Sequence, residues 1–149
     1  MRRILVVAVA IAVGVVVPSA SGAKALKATS NGWYVFDHVP PTTKTPKDGT
    51  YTRCVNNPNT PPVVELGARF SILNKPLPKG SKYILNGPSK LHIVHTTSAK
   101  LSPGAYFYRF ASSRAGRSSF SPGKYTFKLK VGTTTKTTEF IKLVDDPNC

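Results

Sequence analysis

The stretch Tyr125-Thr126-Phe127-Lys128-Leu129-Lys130-Val131 decides the fold. Tyr, Phe, Leu and Val take every second position, with Thr, Lys and Lys between them. Successive side chains of a strand point to opposite faces, so this spacing buries one face and leaves the other in water. A helix would scatter the same residues around its circumference. Gly132 and a Thr-rich turn follow, and residues 138–144 read as the returning strand of a hairpin. The length of that turn leaves the register open.

The same period recurs upstream. Ala68, Phe70 and Ile72 alternate with Arg69, Ser71 and Leu73, and Leu91 and Ile93 with His92 and Val94. Tyr106, Tyr108 and Phe110 share a face opposite Phe107 and Arg109. Ser102-Pro103-Gly104 and Ser121-Pro122-Gly123 are turn signals placed just before strands, and their likeness reads as shared turn chemistry rather than a repeat. No window past the first 23 residues sustains a helical period. Short strands punctuated by Pro and Gly predict an all-β, antiparallel sandwich over residues 53–149.

Ahead of it, residues 24–52 read as a Pro-rich, partly irregular extension. Pro40-Pro41-Thr42-Thr43-Lys44-Thr45-Pro46 cannot hold a helix, nor can the proline-dense run at 56–62. Trp33-Tyr34-Val35-Phe36 interrupts this region with an apolar patch. It is either an edge strand or plug packed on the main domain, or an exposed aromatic ligand platform.

Residues 1–23 have the layout of a secretory signal peptide. A Met-Arg-Arg start precedes 14 uncharged residues (4–17), then Pro18 and Ser19-Ala20-Ser21-Gly22-Ala23. Cleavage after Ala23 makes Lys24 the mature start, and an uncleaved anchor is the alternative. A 14-residue apolar run is short for a bilayer span. The expected location is secreted or attached to the cell envelope, with no integral span in the mature chain.

Removing 23 of 149 residues leaves 126, enough for one domain with a core. Arg2 and Arg3 leave with the leader, so 19 of the 21 Lys/Arg face six Asp/Glu. Such an excess attracts polyanions and says nothing about fold. No three basic residues are consecutive, so there is no polybasic arm. The charge serves either as a solubilising surface or as contact with an anionic envelope polymer, an anionic membrane or extracellular nucleic acid.

Cys54 and Cys149 are the two cysteines. In an oxidising compartment a lone pair of this kind bridges, and free thiols or an intermolecular bond are the alternatives.

Phe120-Ser121-Pro122-Gly123-Lys124-Tyr125, the strand after it and Glu139-Phe140-Ile141 resemble the last two strands of bacterial secreted immunoglobulin-like sandwiches. The resemblance covers residues 53–144. It implies that Tyr125 is a structural corner whose hydroxyl bonds back to nearby backbone. It also implies that Cys54–Cys149 staples the first strand to the last. The intersheet cysteine pair and mid-domain tryptophan of antibody domains are absent, with Trp33 lying before the first expected strand. The fold carries no activity with it.

Catalytic chemistry finds little support. His92 and His95 are three apart and so face opposite ways on a strand, which prevents chelation of one ion. No Gly-x-Ser-x-Gly elbow accompanies the serines, His38 or the aspartates Asp37, Asp48, Asp145 and Asp146. Neither a cofactor nor a metal is expected. Arg109 points away from Tyr106 and Tyr108, which argues against a single-strand nucleic-acid surface. The loop Ser112-Ser113-Arg114-Ala115-Gly116-Arg117-Ser118-Ser119 is the best local candidate for a functional loop. The expected function is a non-enzymatic, envelope-associated binding module for anionic polymer. Its candidate contacts are Arg114, Arg117, Arg109, Lys128 and Lys130. The alternative is a secreted inhibitor or protein-interaction domain acting through a loop or the Trp33 patch. A hydrolase comes last.

Overall fold

A computed structural model of the chain describes residues 24–36, 49–149 and the backbone of 43–44. Residues 1–23, expected as a signal peptide, the Asp37-His38 pair, most of the first Pro-rich run and Asp48 lie outside the described residues. The described chain is all-β, with a single helical turn, Ser112–Ala115, of 3-10 type. No described helix is long and apolar enough to cross a membrane.

Among the described residues nine strands make two sheets. They are β1 (Ala28–Phe36), β2 (Thr43–Lys44), β3 (Thr50–Cys54), β4 (Glu65–Ile72), β5 (Lys82–Gly87), β6 (Leu91–Thr96), β7 (Gly104–Ala111), β8 (Gly123–Val131) and β9 (Thr134–Asp146). One sheet has the order β2-β1-β4-β7 and the other β3-β9-β8-β5-β6. The expected alternation is realised in β8, where Tyr125, Phe127 and Leu129 are fully buried. Phe127 sits at the middle of the core. Phe70 of the other sheet stacks on it at 5.7 Å, and Trp33 and Phe110 meet it edge-on at 6.4 and 6.1 Å. Ring pairs of this kind add to the area that each ring buries.

Three readings are decided or revised by the strands. First, of the two readings of the Trp33 patch the packed strand holds: β1 is nine residues long, and Trp33 and Val35 are buried in the common core. Its alternation is broken at Ser30-Asn31-Gly32, where the register with β4 slips and Gly32 has φ 99°. A bulge inserts residues that no longer alternate, and this masks the period in the sequence. Second, the sheets are not wholly antiparallel, because β3 runs parallel to β9 from Thr50↔Lys142 to Cys54↔Asp146. Third, β9 begins at Thr134 rather than 138. A two-residue turn at Gly132-Thr133, with Gly132 at φ 57°, brings Val131 opposite Thr134, and an irregularity at Leu129/Lys130 absorbs the rest.

The parallel pair brings the chain's two halves together. Cys54 and Cys149 form a disulfide with their Cα atoms 5.4 Å apart. Arg53 Nε and Nη2 donate to the two carboxylate oxygens of Asp145 at 2.9 and 2.8 Å beside it. This two-pronged bond holds Arg53 still more firmly charged, while burial opposes it.

The Tyr125 hydroxyl donates to the Ser121 carbonyl at 2.7 Å. Tyr106 does the same to Ser102 at 2.6 Å. Both sit in Ser-Pro-Gly-x-Tyr, so the two similar segments build the same corner, one at the head of a strand in each sheet. Tyr125 also lies across Gly87, where an added Cβ would come within 2.5 Å of its ring. Tyr125→Phe should lower stability by about 1 kcal/mol, the net worth of one buried hydrogen bond. Tyr106→Phe, whose bond is exposed, should cost less. Urea titration of both variants gives the comparison, and equal losses would remove the distinction.

Candidate polyanion-binding face

Because Tyr125, Phe127 and Leu129 point inward, Lys124, Lys128 and Lys130 must emerge on the outer face of the five-stranded sheet. Neighbouring strands add two more. Lys82 of β5 stands directly opposite Lys130, and Lys142 of β9 directly opposite Lys124. Adjacent strands lie about 4.8 Å apart and alternate residues about 6.8 Å apart, so the five follow β8 over a track of about 20 Å. Between the two ends of the track lies a row without Lys or Arg: His92, Asn86, Thr126 and Phe140. Phe140 is 46 % exposed, and Lys124 Nζ sits 4.4 Å from its ring centroid.

Among the described residues no carboxylate pairs with a lysine of this track. Of the acidic residues described, Glu65 pairs with Arg109 on the other sheet. Glu139 turns inward and accepts from the Ser30 hydroxyl and, at 3.1 Å, the Gly32 N–H. Asp145 is held by Arg53, and Asp146 ends β9 opposite Cys54, where it accepts the Asn148 N–H at 2.8 Å. Like charges directly opposite on a sheet repel. Lys82/Lys130 and Lys124/Lys142 are two such pairs, and a bound anion would lower the cost of both.

The five basic residues singled out in the sequence fall in three places. Lys128 and Lys130 belong to the track. Arg109 lies on the outer face of the other sheet, its guanidinium 4.4 Å from the Phe36 ring centroid and its charge matched by Glu65. Arg114 and Arg117 belong to the connector beside β6. Arg114 Nη1 donates to the Tyr108 hydroxyl at 3.1 Å, and Arg117 Nη2 to the Ser89 carbonyl at 2.9 Å. That connector is compact: Ser112–Ala115 makes one helical turn, capped by Gly116 at φ 67°. The Phe120 N–H returns to the Val63 carbonyl at 2.7 Å.

Lys82, Lys124 and Lys142 were missed as candidates. Lys124 has the same parity as Lys128 and Lys130 and was readable from the strand itself. The other two needed the register of β5 and β9. His92 and His95 face opposite sides of β6. His92 Nδ1 is 2.7 Å from Asn86 Oδ1, and His95 stacks on Tyr108 at 4.6 Å. Among the described residues no three His, Cys, Asp or Glu group as metal ligands would. Trp33 is core, whereas Tyr34 and Phe36 of the same patch pack with Phe107 on the outer side of their sheet. No family model and no curated protein sequence matches this chain.

Proposed function

We propose that this chain is an exported, immunoglobulin-like binding module that holds anionic polymer on the outer face of its β3-β9-β8-β5-β6 sheet. The observation that carries the binding is the five-lysine track, with which no carboxylate among the described residues pairs. A linear polyanion laid along it replaces its own counterions with fixed ammonium groups, so binding gains from counterion release and weakens steeply with salt.

The immunoglobulin-like part of the reading is supported by connectivity. The β8-β9 hairpin is flanked by β5 and β6, the order of the F, G, C and C′ strands, and β1, β4 and β7 follow as A, B and E. Tyr125 then heads strand F, where the corner tyrosine of such domains sits. The stacked Phe70 and Phe127 bridge strands B and F, which antibody domains join by a disulfide. Export suits the Cys54–Cys149 bond, since disulfides persist in oxidising compartments.

The test is retention of the Lys24–Cys149 protein on immobilised heparin, a sulfated polymer, and on envelope material from its producer, across a salt series. Log affinity should fall linearly with log salt. Lys82→Ala/Lys128→Ala/Lys130→Ala should shallow the slope by about 2–3, at roughly 0.7–0.9 for each contact removed. Arg114→Ala/Arg117→Ala should leave it nearly unchanged. An unchanged slope in the lysine variant would overturn the assignment.

A further inference from the structure

The sandwich is open along one side, where β6 and β7 are the last strands of their sheets. An open cleft of about 230 Å³ lies there, floored by Phe70 and Tyr83 and walled by His95, Tyr106 and Tyr108, with the loop after β6 as its rim. The rings are packed on one another. Tyr106 stacks on Phe70 at 5.8 Å, and His95 lies against Tyr83 at 5.6 Å and Tyr108 at 4.6 Å. The Tyr83 ring is buried, at 4 % exposure for the whole residue, and its hydroxyl, which makes no hydrogen bond among the described residues, is left accessible in the cleft. It is therefore open to water, and a ligand hydroxyl in the cleft can take that water's place.

The polar groups available define that ligand. Burial, with Tyr106 and Tyr108 adding, raises the Tyr83 phenol to about 12, so it stays a donor. Tyr108 accepts from Arg114 and keeps its own proton to give. Tyr106 spends its proton on the Ser102 carbonyl and is left to accept. Burial, then the Arg114 charge, lowers the His95 pKa, so the ring is neutral near pH 7 and offers one donor and one acceptor. Among the described residues no Lys, Arg, Asp or Glu lines the cleft.

We infer that this cleft binds one uncharged, hydroxylated ring, a single sugar residue of a glycan, between the β6 and β7 edges. A pyranose presents a C–H face to aromatic rings and hydroxyls that both donate and accept. The volume is below the range of about 300–1,000 Å³ typical of drug-sized pockets, and so suits one ring. The cleft opens between the strand edges, apart from the lysine face, and its occupancy is independent of polyanion binding.

The experiment is an NMR titration of protein labelled in its Tyr and His rings. The probes are methyl α-mannopyranoside, methyl β-galactopyranoside and the methyl β-glycoside of N-acetylglucosamine. p-Cresol serves as a flat aromatic control and inorganic phosphate as an anion. At least one glycoside should shift Tyr83, His95, Tyr106 and Tyr108 saturably, and Tyr83→Phe should weaken it about 3- to 10-fold, with Tyr108→Phe as the second variant. The lysine triple variant should bind it unchanged. Glycosides that leave all four rings unmoved, tighter binding of p-cresol or phosphate, or full affinity in both tyrosine variants would each overturn the inference.

Discussion

Replacing Cys54 and Cys149 together by serine lowers the free energy of unfolding by about 4–5 kcal/mol, the value that chain entropy assigns to closing a loop of this length. The two cysteines are 95 positions apart, so the bond shortens the unfolded chain far more than it tightens the folded one. The folded ends keep other ties. Five residue pairs join β3 to β9, Arg53 grips Asp145, and the Val55 N–H reaches the Asp146 carbonyl at 3.0 Å. A loss carried by the unfolded state has a second signature. The uncrosslinked chain expands and exposes more surface, so the urea m-value should rise as the midpoint falls. A loss below about 1 kcal/mol with an unchanged m-value would mean that the β3-β9 ladder alone fixes the ends.

Reduction of the bond should also affect the two faces differently. β3 borders the lysine track at Thr50, opposite Lys142, whereas the aromatic cleft lies at the far edge of the same sheet. Fraying of β3 therefore reaches Lys142 first and leaves Tyr83 and His95 in their stacked arrangement.

The parts of the fold legible in the sequence are those whose signal is local. Tyr125, Phe127 and Leu129 announce β8 because a sheet face buried on one side demands period 2, and they fix which way Lys128 and Lys130 point. The same applies to Tyr106, Tyr108 and Phe110 in β7. What escaped is non-local or interrupted. Lys82 and Lys142 join the track only once β5 and β9 are known to flank β8, and register is a property of pairs of strands. The parallel run of β3 on β9 spans most of the chain and leaves no trace in either segment alone. The Tyr106 corner was visible as Ser102-Pro103-Gly104, but its bond back to Ser102 depends on a ring that also packs on Phe70. The open hydroxyl of Tyr83 could not be read at all, since a tyrosine inside an apolar run looks like any other core residue.

β1, legible in the sequence only as one of two readings of the Trp33–Phe36 patch, sets the last expectation. Trp33→Ala should lower stability by about 3–5 kcal/mol, as removal of a large buried aromatic does when its neighbours cannot collapse into the space. Trp33 is 1 % exposed and meets Phe127, the ring on which Phe70 and Phe110 also converge. The loss therefore opens a cavity at the centre of the sandwich. Tyr34→Ala is the matched control. Its ring lies on the outer side of the sheet against Phe107 and beneath Arg69, and should cost markedly less. The stronger form of the test removes residues 24–36 altogether. β4 would then lose its partner from Ala28↔Ile72 to Phe36↔Glu65, and Leu66 and Phe127 would lose the strand that covers them. Such a chain should show neither a cooperative urea transition nor near-ultraviolet dichroism. A truncated chain that still unfolds in one sharp step would restore a domain boundary near residue 53 and reduce β1 to a removable strap.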